Sequence, residues 1–226
     1  MSMILVVAAH PDDEVLGAGG TVARRVSEGD TAYALVLGEG QTSRWDSRSQ
    51  AERSAVDSLH NDSISASKIL GYKDIYFGEF PDNRFDSADL LDIVKSVENF
   101  LEKLRPDIIY THFGGDLNVD HQVTNQAVLT AARPQGDYSV REIYAFETVS
   151  STEWNFGSRK VFCPNVFVNI EGYFQKKCDA MSKYTSELRM FPHPRSLQML
   201  EITARKWGGA VGRQYAEAFE LLRRVD

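Results

Sequence analysis

Two short polar segments of this chain carry the residue types that bind metals and move protons. The first, AHPDDE at residues 9–14, places His10 and three acidic residues directly after an apolar run. The second, HFGGDLNVDH at residues 112–121, ends on Asp120 and His121. A helix start favours proline and acidic residues, which would explain most of the first segment but not its histidine. The pairing of histidines with acids therefore indicates a chemical site.

Two histidines and one carboxylate form a donor set that suits a catalytic zinc with one position open for water. His10 and Asp13 are three residues apart, so one helical turn can bring both to one side, and His121 completes the set. Asp12 then points elsewhere and is free to take a proton from water. Asp120 can orient His121, or a neighbouring histidine, through a hydrogen bond. Iron and cobalt accept the same donors and are alternatives to Zn²⁺.

Apolar runs alternate with helical patterns along the first two thirds of the chain. The pattern predicts strands at 3–9, 31–38, 74–80, 107–112 and 142–147, and helices at 15–28, 48–70, 88–104 and 121–133. This alternation is typical of an α/β fold, here a Rossmann-like three-layer sandwich with a mostly parallel sheet. Ligands bind such sheets beyond the strand ends where the strand order reverses, so strands one and four would bring the two polar segments together across one crevice.

The last third of the chain is less regular, and we expect it to pack onto the same domain. That single domain spans residues 1–226, with a Rossmann-like core at 1–147 and additions at 148–226. The predicted features of the additions are an apolar stretch and two helices, at 161–170, 173–188 and 196–209.

Composition excludes several classes of protein. The 25 Lys and Arg against 32 Asp and Glu give a net charge of -7, which argues against non-specific binding to nucleic acid or an anionic membrane. No window has the apolar length of a membrane span, and the N-terminal apolar run is too short for a signal peptide. Cys163 and Cys178 are too few for a disulfide framework and are expected to be packing residues. We therefore expect a cytoplasmic protein, and a homo-oligomer is compatible with the sequence.

The AHPDDE segment followed by a downstream Asp-His pair resembles the PIG-L/LmbE family of zinc-dependent de-N-acetylases. The resemblance extends from the first strand to the closing YAEAF at 215–219. It implies that His10, Asp13 and His121 bind zinc and that Asp12 is the general base. It also implies the reaction, which removes the acetyl group from an N-acetylated amino sugar in surface-glycan or glycoside natural-product biosynthesis.

Two positions depart from the family's pattern. Many members carry a histidine three residues before the last ligand, where this chain has Asn118. An amide can donate a hydrogen bond to an oxyanion but cannot deliver a proton, so either Asp12 returns its proton or His193 supplies one. Some members place a substrate-contacting arginine in the long helix, where this chain has Leu59 and His60.

Substrate contacts are expected from four loop residues. Arg44 is the nearest replacement for the missing arginine, and Asp82 resembles the family's substrate-contacting aspartate. His193 and Arg195 lie in FPHPRS, whose two prolines fix an extended path. A chain of charge -7 needs local basic groups to hold a phosphate-bearing donor, and Arg44 with Arg195 would supply them. The expected substrate is an N-acetylhexosamine unit, free or carried on a nucleotide or lipid.

Two other functions are alternatives: deacetylation of a low-molecular-weight thiol precursor, and non-catalytic metal or nucleotide binding on a Rossmann-like fold. Gly17, Gly19 and Gly20 superficially suggest a nucleotide loop, but they follow the acidic residues, where a phosphate would be repelled. We interpret them as close-packing positions. His112 is either a core histidine or an alternative metal ligand, and His60 is expected to be exposed.

Overall fold

One seven-stranded sheet forms the centre of the molecule. The computed structural model describes residues 1–45, 53–135, 137–157 and 160–226. The strands are β1 (Met3–Ala8), β2 (Thr31–Gly38), β3 (Asp74–Phe80), β4 (Ile108–His112), β5 (Glu142–Phe146), β6 (Val166–Asn169) and β7 (Ala216–Arg224). The helices are α1 (Asp13–Ser27), α2 (Arg53–Leu70), α3 (Leu90–Leu104), α4 (Val119–Ala131), α5 (Phe174–Met181) and α6 (Leu197–Ala210).

The sheet has the order β3-β2-β1-β4-β5-β7-β6. The first five strands are parallel, and β7 runs antiparallel between β5 and β6. The strand order reverses at β1, which lies between β2 and β4. The predicted Rossmann-like α/β sandwich with a mostly parallel sheet is therefore confirmed.

Alternate side chains of β1 enter two separate cores. Ile4 and Val6 belong to the core on one face of the sheet, together with apolar residues of α1, α2 and α6. Leu5 and Val7 belong to the core on the other face, with α3 and α4. Because helices cover both faces, β1 is apolar along its length rather than alternating, which is why the sequence identified it so clearly.

The predicted strands of the first two thirds agree with the structure to within one residue, whereas some helix starts differ. α1 begins at Asp13 and α4 at Val119, each two residues earlier than expected. α4 starts early because Asn118 caps it, its Oδ1 accepting the Asp120 N–H at 2.8 Å. Of the helix predicted at 48–70, residues 48–52 lie outside the described residues and the remainder forms α2.

The last third differs more from expectation. The helix predicted at 173–188 ends at Met181, and only 166–169 of the apolar stretch form a strand. The closing β7 was not predicted, since alanines and glutamates interrupt its apolar pattern and have low strand propensity. It completes the sheet by pairing with β5 and β6. The division of the chain at residue 147 stays a prediction.

Two side chains lie in other surroundings than expected. His60 is half-buried and stacks on Phe77 with ring centroids 4.1 Å apart, so the expectation of simple exposure was wrong. Cys163 is exposed and does not pack, whereas Cys178 is buried beside Phe174. Among the described residues, none of the helices combines the length and apolarity required to cross a bilayer.

Gly17 on α1 lies against the buried ring of Phe146, as a close-packing position should. A Cβ built at Gly17 would lie 2.2 Å from Phe146 Cδ2, whereas one at Gly19 would lie 3.3 Å from Leu70 Cδ1. We predict that Gly17→Ala destabilises the protein by about 1–3 kcal/mol, because the ring cannot move aside. Gly19→Ala is the matched control and should change stability by less than about 1 kcal/mol, since the gain in helix propensity offsets the closer contact. Urea unfolding measures both, and equal midpoints would contradict the packing role.

Candidate functional site

The two polar segments meet where β1 and β4 end side by side. His10 follows β1 by two residues, Asp13 opens α1, and His121 lies in the first turn of α4. They line a pocket with a volume of about 330 Å³ at the point where the strand order reverses. Eight of the ten predicted site residues line this pocket: His10, Asp12, Asp13, Arg44, Asp82, Asn118, His121 and Arg195.

Three side-chain atoms form a nearly equilateral triangle at the pocket floor. Asp13 Oδ2 lies 3.3 Å from His10 Nδ1 and 3.4 Å from His121 Nε2, and the two nitrogens are 3.3 Å apart. Metal–ligand bonds of about 2.0–2.2 Å in a tetrahedron correspond to ligand–ligand distances of about 3.3–3.6 Å. The donor types and their spacing therefore fit a divalent ion such as zinc, and three protein donors leave a tetrahedral ion one further position.

His10 and Asp13 are brought together by a turn, not by the helical turn expected from their spacing. The Asp13 N–H donates to the His10 carbonyl at 3.3 Å, and the His10 N–H donates back to Asp13 Oδ2 at 2.9 Å. The turn closes before α1 begins. The Asp13 carboxylate thus accepts a backbone hydrogen bond and also belongs to the donor set.

Asp120 holds the outer nitrogen of His10. The imidazole Nε2 lies 2.9 Å from Asp120 Oδ2, and Asp120 Oδ1 accepts the Phe85 N–H at 2.9 Å. Asp82 Oδ1 lies 3.3 Å from the same imidazole nitrogen. A proton held on Nε2 leaves Nδ1 unprotonated for a metal. The sequence left open whether Asp120 orients His121 or a neighbouring histidine. In the structure Asp120 contacts His10.

His121 has its own carboxylate partner, Asp116, which the sequence analysis missed. Asp116 Oδ1 lies 3.1 Å from His121 Nδ1, and the carboxylate is fully buried. It accepts hydrogen bonds from the hydroxyls of Ser151 and Thr152 and from the Asn118 N–H. The two hydroxyls come from the loop after β5, so no local sequence pattern links them to Asp116.

His112 is a core histidine and not a metal ligand. It is fully buried, and its Nε2 accepts the Ala9 N–H at 2.9 Å. The proton therefore sits on Nδ1, which lies 3.0 Å from Thr148 Oγ1 and donates to it. Burial, together with the neighbouring His121, lowers the pKa of His112 well below its ordinary value. Both ring nitrogens of this neutral imidazole are already engaged.

Asp12 lies beside the ligand set in strained backbone. Its φ of 104° falls in the left-handed region, which costs a non-glycine residue about 1–3 kcal/mol and persists only where surroundings impose it. The buried Glu14 carboxylate accepts the Asp12 N–H at 3.1 Å and fixes that conformation. Asp12 Oδ2 lies 3.3 Å from Arg195 Nη1. Burial and the charge of Asp13 raise the pKa of Asp12 well above its ordinary value, against the opposing effect of Arg195.

Asn118 caps α4 and lines the pocket with the same side chain. Its Oδ1 is used by the cap, and its Nδ2 donates to Asn83 Oδ1 at 2.8 Å. An amide NH₂ has two hydrogens, so one remains for a substrate oxygen. The geometry is compatible with the oxyanion-binding role expected for this residue.

Glu187 joins the two arginines expected to contact substrate, and the sequence analysis missed it. Arg44 Nη2 lies 2.6 and 2.7 Å from its two carboxylate oxygens, and Arg195 Nη1 lies 3.0 Å from Oε2. Glu187 is only 5% exposed and lines the pocket. It falls inside the stretch wrongly predicted as helix. Arg44 and Arg195 do converge, but on a carboxylate of the protein.

His193 lies outside the pocket lining. Its ring is half-buried against the edge of Trp154, with centroids 5.8 Å apart, and its Nδ1 accepts the Arg195 N–H at 3.1 Å. Asp82 is buried and does line the pocket, with Oδ2 accepting the Ser43 hydroxyl at 2.5 Å. The structure thus brings Asp82 to the ligand set but not His193, which leaves Asp12 as the nearer group for a proton-donor role.

Residues 5–132 match the model of the family described as PIG-L, GlcNAc-PI de-N-acetylase. The chain belongs to the PIG-L family. It is 30% identical to YaiS, an uncharacterized deacetylase of Escherichia coli (strain K12), over 81% of this chain and 90% of that protein. It is 25% identical to a probable N-acetyl-alpha-D-glucosaminyl L-malate deacetylase 2 of Bacillus cereus, over 81% of this chain and 83% of that protein.

The same fold occurs in an enzyme of different chemistry. The crystal structure of GalB, the 4-carboxy-2-hydroxymuconate hydratase from Pseudomonas putida KT2440, superimposes with a TM-score of 0.78 and covers 100% of this chain and 98% of that one. At 22% identity this likeness concerns the fold alone.

The carboxylates behind the histidines generate a prediction about metal affinity. Asp120→Asn and Asp116→Asn should each weaken zinc binding by about 10- to 100-fold, because these partners fix the orientation and basicity of the ligating imidazoles. Asp120→Asn also places an amide donor against either the Phe85 backbone N–H or the His10 Nε2–H. Competition with a chromophoric chelator measures the affinity, with exposed Asp86→Asn as control. Affinities equal to that of the control would remove both carboxylates from the metal centre.

Proposed function

We propose that this protein is a zinc-dependent N-deacetylase that hydrolyses the acetamide of an N-acetylhexosamine to acetate and a free amine. The observation that carries the proposal is the triangle of His10, Asp13 and His121 with the Asp12 carboxylate beside it in one polar pocket. Membership of the PIG-L family and the names of the two curated relatives support the reaction class. The N-acetylglucosaminyl substrate named for the Bacillus cereus relative supports the sugar.

His10, Asp13 and His121 would hold the metal through Nδ1, Oδ2 and Nε2. When bound, a divalent ion there supplies Lewis acidity, which polarises a carbonyl oxygen and acidifies water. Zinc suits the mixed nitrogen and oxygen donors and three-ligand count. The carboxylates of Asp120 beside His10 Nε2 and of Asp116 beside His121 Nδ1 favour a proton on those outer nitrogens, which leaves the inward nitrogens with lone pairs.

Asp12 is assigned the general base. It takes a proton from the water that attacks the acetamide carbon, and it returns that proton to the nitrogen as the carbon–nitrogen bond breaks. The raised pKa of Asp12 suits the base role, since a more basic carboxylate accepts a proton more readily. Glu14 does not line the pocket and acts on Asp12 through the backbone.

Asn118 is assigned the donor to the oxygen that becomes negative as water attacks. Its side chain is fixed at both ends, by the α4 cap and by Asn83, so little reorganisation is needed during the reaction. Where many family members have a histidine, this chain thus has an amide that can stabilise negative charge but cannot transfer a proton.

Two other reactions are compatible with parts of the site. Deacetylation of a thiol precursor would use the same atoms on a different acetylated sugar. Hydration, the reaction of the Pseudomonas enzyme, needs no acetamide and would act on a carboxylate-rich compound, as that enzyme's name indicates. No observation at this pocket favours hydration, since Glu187 already occupies both arginines that could bind substrate carboxylates.

The test of the proposed function is release of acetate from N-acetylglucosamine and from its nucleotide-linked and lipid-linked forms. We expect acetate release from at least one of these sugars, lost on chelation and restored by zinc. Asp12→Asn should retain zinc but lose about 10²-fold or more of kcat, because the base is gone. Exposed Asp86→Asn is the matched control for the loss of one carboxylate. Acetate release at the normal rate by Asp12→Asn would overturn the assignment of the base, and hydration without acetate release would overturn the function.

Asn118 provides a second prediction that separates catalysis from folding. Asn118→Ala should lose about 10- to 10³-fold in kcat with little change in KM, and about 1 kcal/mol of stability through the lost helix cap. Asn118→Ser keeps a cap oxygen but lacks the amide donor, so it should lose similar kcat while unfolding near the wild-type midpoint. Normal turnover by the serine variant would mean that another group stabilises the oxyanion.

A further inference from the structure

Every described cation that lines the pocket is already paired with a carboxylate of the protein. Arg44 makes a two-oxygen contact with Glu187 through a single nitrogen, at 2.6 and 2.7 Å. Arg195 contacts Glu187 at 3.0 Å and Asp12 at 3.3 Å. Gln41 Nε2, at 3.2 Å, adds a further donor to the same Glu187 oxygen that Arg44 approaches at 2.6 Å. Glu187 thus occupies the position between two guanidinium groups that an incoming anion would need.

The charge of the pocket points the same way. Among the described lining residues, four carboxylates face two guanidinium groups: Asp12, Asp13, Asp82 and Glu187 against Arg44 and Arg195. A divalent metal would only bring this set to neutrality. Asp116 and Asp120, buried directly behind the two histidines, add further negative charge nearby. With a divalent metal bound, the formal charges of the described lining residues therefore leave no net positive charge to attract a phosphate.

We propose, on the basis of the deacetylase function above, that Glu187 makes the pocket selective for an uncharged N-acetylhexosamine and excludes phosphate-bearing forms of it. A phosphate that bound between the two arginines would have to displace a buried carboxylate, and one that bound their remaining nitrogens would lie close to that carboxylate. Both arrangements are unfavourable. This differs from the expectation, drawn from the two arginines alone, that they would form an anion-binding fork. The arginines are therefore ordered for hydrogen bonding to neutral oxygens.

The same arrangement suits sugar hydroxyls. A carboxylate accepts and a guanidinium donates, so adjacent Glu187 and Arg44 can bind a hydroxyl through its hydrogen and its oxygen together. Arg44 is 41% exposed at its side chain, while Glu187 is buried, which places the flexible donor outside and the fixed acceptor inside. A hydroxyl needs no displacement of the existing ion pair.

The experiment compares N-acetylglucosamine with its 1-phosphate and 6-phosphate on the zinc-loaded protein. The readout is the ratio of kcat/KM for the neutral sugar to that for each phosphate. We expect a ratio of about 10² or more in the wild type. In Glu187→Gln, which is isosteric and frees both arginines, the ratio should fall by at least about 10-fold. A ratio is used because loss of Glu187 also alters the surroundings of Asp12, which affects all three substrates alike.

Two further variants make the outcome decisive. Arg44→Met removes a cation from the same cluster and should increase the ratio, opposite in sign to Glu187→Gln. Glu102→Gln removes one negative charge from an exposed position of α3 outside the pocket lining and should leave the ratio unchanged. A wild-type preference for a phosphate, or equal ratios in Glu187→Gln and Glu102→Gln, would overturn the proposal.

The failure of the deacetylase function would be recognised separately. If no acetate is released from these three sugars or from the nucleotide-linked and lipid-linked forms, the function is wrong. The absence of turnover then allows calorimetric measurement of the dissociation constants of the three sugars on the same protein. The selectivity proposal then requires the neutral sugar to bind at least about 10-fold more tightly than either phosphate, with the difference reduced in Glu187→Gln. Equal binding of all three would contradict it.

Discussion

The site depends on one ionised carboxylate, Asp13, held in a place with almost no access to water. Burial alone would raise the pKa of Asp13, but the neighbouring His121 and His10 hold it well below its ordinary value. A buried charge of this kind is tolerated only when cationic or hydrogen-bonding partners surround it. The turn at 10–13, the two buried carboxylates behind the histidines, and the meeting of β1 with β4 all serve this requirement. A divalent ion would satisfy it most fully.

The parts of the structure that sequence could predict are those fixed by local chemistry. A parallel strand covered on both faces must be apolar throughout, so β1 and β4 were recognisable, and their predicted adjacency placed residues 9–14 opposite 112–121. Donor types and spacing then identified His10, Asp13 and His121. What sequence could not give was the identity of their partners. Whether Asp120 orients His121 or His10 depends on side-chain direction across two loops, which spacing does not determine.

The missed residues share a physical cause. Asp116 is held by hydroxyls from the loop after β5. Glu187 is held by Arg44 and Arg195, which lie 143 and 8 residues away in sequence. Such contacts are set by tertiary packing, and each residue taken alone is an ordinary loop acid. The error over Glu187 also had a local origin, since the segment around it was assigned to a helix that in fact ends at Met181.

Adjacent aspartates with opposite properties are the clearest case of environment deciding function. Asp12 and Asp13 are the same residue type, one peptide bond apart, yet imidazoles lower the pKa of one while burial and its neighbour's charge raise that of the other. The left-handed backbone at Asp12 makes the difference possible, because it turns that carboxylate away from the histidines and toward Arg195. Glu14 holds the strained peptide through the Asp12 N–H. A ligand and a base can therefore be neighbours in sequence, since two carboxylates divide acid–base and charge-binding roles wherever their surroundings separate their pKa values.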